Sequence, residues 1–134
     1  MYLVIQRSYL TEINLTAVNA GQRYNFLDVP ELRQAAVFIQ GIETFTAAQL
    51  AVSPNNKTVI AAAGAASIMC TFVVGETEDI FNIPYYTLVS ANNAGLIRAF
   101  NNKKINLVKS YATVVSASNL NAGESLIFNW YFKA

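Results

Sequence analysis

Histidine is absent from this sequence and cysteine occurs once, and both shortages exclude well-known kinds of chemistry. Histidine is the commonest general base, the commonest zinc ligand and a member of the usual serine and cysteine triads. The single Cys70 cannot form an internal disulfide, and without histidine it cannot complete a structural zinc site. A carboxylate hydrolase needs two facing acids in a cleft, whereas the eight acids here are scattered or lie at expected turns. We therefore expect a protein that is not an enzyme and has no cofactor or small-molecule substrate.

Charged residues are also scarce, at 13% of the chain against about 25% in a typical soluble domain. Nine Lys and Arg and eight Asp and Glu leave a net charge of +1, which gives no general attraction to nucleic acid or acidic membranes. One locally basic segment is interleaved with Phe100 and Tyr111, which suits contact with single-stranded nucleic acid or with another subunit. A solvated loop is the alternative, since Asn101 to Lys104 has the composition of a hairpin turn. The basic residues are Arg98, Lys103, Lys104 and Lys109.

Long apolar runs are missing, although hydrophobic residues make up 54% of the chain. The longest runs, Ile60 to Ala66 and Ile68 to Val74, fall short of the roughly 18 to 20 residues that a helix needs to cross a bilayer. The first residues lack the pattern of a secretory signal, so we expect synthesis in the cytoplasm of the producing cell. The apolar content is high for a soluble monomer, and we expect part of it to be buried against a partner.

Two further groups invite a chemical interpretation that the sequence does not favour. Cys70 lies in the apolar run Ile68 to Phe72 with no neighbouring cation, which favours a buried core cysteine over a reactive thiol. The acidic residues Glu76, Glu78 and Asp79 could hold a calcium ion, but they lack the spacing of a recognised calcium loop. A solvated turn between two strands is the preferred interpretation.

Alternation of apolar and polar residues dominates the sequence and predicts β-strands. The clearest example runs from Ser125 to Phe132, where every second residue is large and apolar, and this places Trp130 in the core. Many short strands between turn residues suggest a sandwich or barrel, so we expect one all-β domain over residues 1–134. A short helix at Asp28 to Glu31 competes with a loop. The other predicted strands are Tyr2–Leu10, Ile13–Val18, Arg23–Leu27, Ala36–Gln40, Thr44–Thr46, Thr58–Ala62, Ser67–Val74, Ile80–Ile83, Tyr85–Ser90, Leu96–Phe100, Lys104–Lys109 and Tyr111–Ser118.

Turn residues and tyrosines mark two further local features. The tripeptide Asn-Ala-Gly occurs at 19–21, 93–95 and 121–123, each time before a strand-like run, and predicts a tight turn that leads into a strand. Tyr85 and Tyr86 follow Pro84, and strand alternation would direct their rings to opposite faces. Exposed tyrosine is favoured at protein interfaces, so Tyr85, Tyr86 and Tyr131 are candidate contact residues.

Two segments carry a resemblance to a known family: Ile83-Pro84-Tyr85-Tyr86, and Leu120-Asn121-Ala122-Gly123-Glu124-Ser125 before the final aromatic strand. With its length, Asn-rich turns and lack of histidine, the chain resembles the single jelly-roll structural proteins of bacterial viruses, which include minor capsid, vertex (penton) and capsid-decorating proteins. The resemblance implies an antiparallel β-sandwich of the jelly-roll type and a non-enzymatic role in the virion. It also implies partners that are copies of the chain and other capsid proteins, and it transfers no individual binding residue.

A carbohydrate-binding or adhesion module on a similar sandwich is the alternative. Such a module needs exposed, coplanar aromatic rings, for which Trp130, Tyr131 and the Tyr85-Tyr86 pair are the candidates. The alternation of the final strand places Trp130 in the core and so disfavours this function.

Overall fold

The fold is given by a computed structural model that describes residues 7–26, 38–74, 79–93 and 98–133. Within these ranges the chain forms strands joined by turns and short 3-10 helices. The strands are β1 (Arg7–Asn14), β2 (Arg23–Asn25), β3 (Phe38–Phe45), β4 (Ile68–Val74), β5 (Asp79–Pro84), β6 (Arg98–Lys103), β7 (Tyr111–Val114) and β8 (Ser125–Lys133). The 3-10 helices are Ala62–Ser67, Tyr85–Leu88 and Ser90–Asn93. None of the helices in these ranges is long and apolar enough to span a membrane.

The strands form two antiparallel sheets of four strands each. Sheet A has the order β1-β8-β3-β6, and sheet B has the order β2-β7-β4-β5. Strands that are distant in sequence are therefore neighbours, most clearly β1 and β8, which pair one to one from Arg7 with Phe132 to Asn14 with Ser125. The predicted all-β, antiparallel sandwich is confirmed.

Aromatic rings from the two sheets meet in a shared core. Phe72 of sheet B lies 5.8 Å from Trp130 and 5.4 Å from Phe100, both in sheet A, with the rings edge to face. Phe26, directly after β2, contacts Phe128 at 4.7 Å. Edge-to-face pairs at such distances add to the free energy gained by burial. Trp130 is fully buried, as the alternation of the last strand predicts, and its indole N–H donates to Thr11 Oγ1 at 2.8 Å.

A bulge in β3 decides which of its side chains reach this core. Opposite β8, Ile39 pairs with Phe132 and Gly41 with Tyr131, so Gln40 is an extra residue in the ladder. Successive residues of a strand point to opposite faces, so Ile39 and Ile42 would otherwise lie on different faces. The extra residue brings both isoleucines to the inner face, where both are buried.

The turn at Asn121 to Glu124 shows why the sequence Asn-Ala-Gly launches a strand. Glu124 donates its backbone N–H to the carbonyl of Asn121 at 3.2 Å, and Gly123 has the φ of +94° that the third residue of a type II turn requires. Gly123 and Glu124 together face the single residue Leu15. The N–H of Gly123 donates to the carbonyl of Leu15, and the N–H of Leu15 donates to the carbonyl of Glu124. This is the pattern of a glycine-type β-bulge.

The turn at Asn19 to Gln22 repeats this arrangement before β2. Gln22 donates to the Asn19 carbonyl at 3.1 Å, Gly21 has φ +87°, and Gly21 and Gln22 share Val114 as their partner. In both turns a side-chain carbonyl or carboxylate oxygen of the fourth residue also accepts from the backbone N–H of the asparagine. Two of the three turn predictions are therefore confirmed, and the third, at 93–95, extends beyond the described residues.

Several local predictions differ from the structure. Tyr85–Ser90 begins as a 3-10 helix instead of a strand, and Lys104–Lys109 contains a turn. The alternative of a hairpin turn at Asn101 to Lys104 is wrong, because Asn101 to Lys103 belong to β6, where pairing with β3 overrides the local turn preference. Helix Asp28 to Glu31 and the acidic residues Glu76 and Glu78 lie outside the described residues.

Candidate functional site

Tyr85 is fully buried, so it has no surface with which to contact another subunit. It begins a 3-10 helix directly after β5, and its ring crosses the core from sheet B to sheet A. There its hydroxyl donates to the Phe45 carbonyl at 2.5 Å and accepts from the Ile127 N–H at 3.1 Å. Phe45 and Ile127 form the last pair of the β3–β8 ladder. Tyr85 therefore supplies hydrogen bonds to the backbone groups at the end of this ladder. Burial raises the pKa of this hydroxyl.

Tyr86 has the opposite environment, because the tight 3-10 turn directs it to the surface. Its side chain is 44% exposed, while its carbonyl accepts from the Asn92 side-chain amide at 2.8 Å and from the backbone N–H of Val89. The main chain is thus fixed while the ring is free to contact a partner. Tyr86 stays a candidate interface residue.

Tyr131 lies on the outer face of sheet A, where it belongs to a polar cluster with Glu43 and Asn129. Its ring is opposite Gly41 on β3, and its hydroxyl donates to Glu43 Oε1. Asn129 Nδ2 donates to the same oxygen at 3.2 Å. The hydrogen bond to Glu43 raises the pKa of Tyr131, because ionisation would remove the donated proton. The cluster fixes a half-buried aromatic ring at the surface of the sheet, which suits a contact residue.

The predicted basic segment is divided between two structural environments. Arg98 and Lys103 stand on β6, the far edge of sheet A, opposite Ile42 and Ile39 of β3. Lys104 follows the strand, and Lys109 lies in the turn that leads into sheet B, where its N–H donates to Asn106 Oδ1 at 3.2 Å. The four cations therefore do not follow one another along a single strand.

The aromatic residues between these cations are unsuited to stacking on bases. Phe100 is buried in the core, and the guanidinium of Arg23 lies over the Tyr111 ring at 4.3 Å from its centre. Single-stranded nucleic acid binding depends on open aromatic faces next to cations. The Phe100 ring is closed to solvent and one face of Tyr111 is already covered, so the geometry gives this function little support.

The thiol of Cys70 and the carboxylates are the remaining reactive groups among the described residues. Cys70 is fully buried, and burial raises the pKa of its thiol, which keeps it protonated and unreactive. Among the described residues no three Asp, Glu or Cys side chains come together in a way that could hold a metal ion.

The outer edge of β1 is an uncovered edge among the described strands of sheet A. β1 is an edge strand of sheet A, eight residues long, and no described strand pairs with its outer side. Ser8, Tyr9 and Leu10 are exposed, and the two large side chains retain 37% and 38% of their accessible surface. Edge strands present unpaired N–H and C=O groups to any strand that approaches.

A scan against protein-family models and searches of curated proteins and of solved structures found no match for this chain.

Proposed function

We propose that this chain is a non-enzymatic structural protein of a bacterial virus, a minor capsid, vertex or capsid-decorating subunit that assembles with copies of itself and contacts other capsid proteins. It would be made in the cytoplasm of the host and reside in the virion. The order of strand pairing carries the proposal: β1 pairs with β8, β2 with β7, β3 with β6 and β4 with β5.

This order is the one that an eight-stranded jelly roll requires. A chain whose first strand pairs with its last, and so inward to the middle pair, is one long antiparallel ribbon folded over into two sheets. We infer that the domain is a single jelly roll, an architecture that is common in viral capsid proteins and also occurs in lectins. The scarcity of reactive groups and the apolar composition support the structural role over catalysis.

The test of self-assembly is size-exclusion chromatography with light scattering over a range of protein concentrations. We expect a defined mass that is a multiple of 14.7 kDa. A strictly monomeric protein at high concentration would contradict the proposal. Mass spectrometry of purified virus particles is the second test, and there the protein is expected at a fixed copy number.

Carbohydrate binding is the competing function, and the position of Trp130 weakens it. Trp130 is the largest of the candidate stacking residues, but it is closed to solvent. Of the tyrosines, Tyr85 is buried and Tyr131 is held by Glu43. A glycan array would decide between the functions, because specific binding that is lost in Tyr86→Ala would favour the carbohydrate module.

A further inference from the structure

We infer that β1 is the docking edge for a second copy of this chain, whose own β1 adds antiparallel to it across a two-fold axis near Leu10. The inference rests on the proposed self-assembly and names the surface that two subunits share. The result would be one eight-stranded sheet that continues from sheet A of one subunit into sheet A of the other.

Hydrogen bonding fixes which residues of β1 face the edge that no described strand covers. Just beyond β1, Leu15 exchanges backbone hydrogen bonds with residues 123 and 124 on the side of β8. In an antiparallel pair only alternate residues bond to a given neighbour, and β1 pairs with β8 one to one without a shift. Tyr9, Thr11 and Ile13 therefore bond to β8, while the N–H and C=O groups of residues 8, 10 and 12 point away from the sheet. Asn14 fits this alternation, because its carbonyl accepts from the Thr16 N–H instead.

β1 carries few of the features that protect edge strands from such pairing. Edge strands are commonly blocked by charged side chains, lysine above all, by proline or by a bulge. The sequence Arg7-Ser-Tyr-Leu-Thr-Glu-Ile-Asn14 has no proline or lysine, and its register with β8 is regular throughout. Its two charged residues are Arg7, at its first position, and Glu12, whose carboxylate accepts from Ser125 Oγ within the same sheet. The bulge of β3 lies inside sheet A, and the glycine-type bulge beyond the end of β1 has its extra residue on the opposite side, at Gly123 and Glu124.

When the two-fold axis passes next to Leu10, the side chains that face each other across two copies of β1 are compatible. Leu10 then faces Leu10 of the partner subunit, so the two exposed apolar side chains on the outer face cover each other. Ser8 faces Glu12 of the partner subunit and Tyr9 faces its Thr11, so no like charges are opposed. The symmetry makes the contact self-complementary, as a closed two-fold dimer requires. A two-fold pair fits assemblies with an even number of subunits.

Disulfide trapping tests the register directly. Residues facing each other across an antiparallel pair have Cα atoms about 4.5 to 5.5 Å apart, which is within the range of a disulfide. Under mild oxidation we expect Leu10→Cys to form a covalent dimer on a non-reducing gel, while buried Cys70 stays unreacted. Val115→Cys is the matched control, because Val115 is exposed and lies beyond β7 in the other sheet, and it is expected to stay uncrosslinked.

A charge substitution separates failure of this inference from failure of the proposed function. In Leu10→Lys two lysines would face each other, and we expect dimer dissociation at concentrations at least about tenfold higher than in the wild type, with an unchanged circular dichroism spectrum. Val115→Lys is the control and keeps the wild-type mass. If the wild type assembles but Leu10→Cys fails to crosslink or Leu10→Lys assembles normally, the β1 interface is overturned and the structural role stands. A monomeric wild type overturns both.

Discussion

The hydroxyl of Tyr85, in the 3-10 helix that follows β5, is hydrogen-bonded to the end of the β3–β8 ladder in sheet A. It pairs with the Phe45 carbonyl and the Ile127 N–H in a fully buried position. A buried donor or acceptor that loses its hydrogen-bond partner lowers the free energy of unfolding by about 1 to 3 kcal/mol, because no water can replace that partner. We expect Tyr85→Phe to lower the free energy of unfolding by that amount in chemical denaturation. Tyr86→Phe, at an exposed neighbour, is the control and should change stability little.

Gly123 carries a conformational requirement that its neighbours do not share. No atom lies within 4 Å of where a Cβ would stand, so the cost of a side chain comes from the positive φ alone. Left-handed backbone costs an alanine about 1 to 2 kcal/mol, whereas asparagine tolerates it better. We expect Gly123→Ala to destabilise the protein by about that amount in thermal or chemical unfolding, and Gly123→Asn to destabilise it clearly less. Equal effects of the two variants would argue against strain at this turn.

The bulge at Gln40 leads to a prediction about strand β3 as a whole, because the extra residue sets the direction of the side chains before it. Deleting Gln40 would remove the extra residue, so that Ile39 would point out of the core or the segment before it would lose its register with β8. We expect the deletion variant to lose a fully buried isoleucine, to be destabilised by several kcal/mol and to be found largely insoluble. Gln40→Ser keeps the chain length and should fold with nearly wild-type stability. Comparison of soluble yield and melting temperature of the two variants measures the effect.

The pH dependence of stability belongs to the whole molecule, because two buried groups contribute through the same unfolding equilibrium. Burial raises the pKa of both the Cys70 thiol and the Tyr85 hydroxyl, so the folded protein holds these protons more tightly than the unfolded chain. Their unfolded pKa values are about 8.5 and 10. The contribution of the two groups to the free energy of unfolding is therefore fully present below about pH 8.5. It is lost as the pH rises above the unfolded pKa of each group, by up to about 1.4 kcal/mol per pH unit for each group.

Denaturant titrations at several pH values check this expectation. Cys70→Ala should remove the loss of unfolding free energy between about pH 8.5 and 10. Tyr85→Phe should reduce the additional loss above about pH 10, to which Tyr131 also contributes because its pKa is raised as well. A wild-type free energy that stays constant from pH 8 to pH 11 would show that neither proton is held by the fold.

The pattern of the chain by itself determined the class of fold and much of its local structure. Alternation on the last strand identified the buried face of Trp130, and Asn-Ala-Gly identified two turns, because both signals depend only on residues within a few positions of one another. The absence of histidine and the presence of a single cysteine exclude histidine-based catalysis and an internal disulfide. Both exclusions follow from the sequence without any structure.

Only the tertiary structure decided which strands are neighbours and which tyrosine is buried. The pairing of β1 with β8 joins residues more than a hundred positions apart, and no local pattern encodes such a choice. The same applies to Gln40, whose bulge appears only against β8, and to Tyr85, whose hydroxyl is drawn into the core by backbone groups of two distant strands. Local sequence favours a conformation by small free energies, while packing between distant segments contributes larger ones, so packing decides where the two disagree.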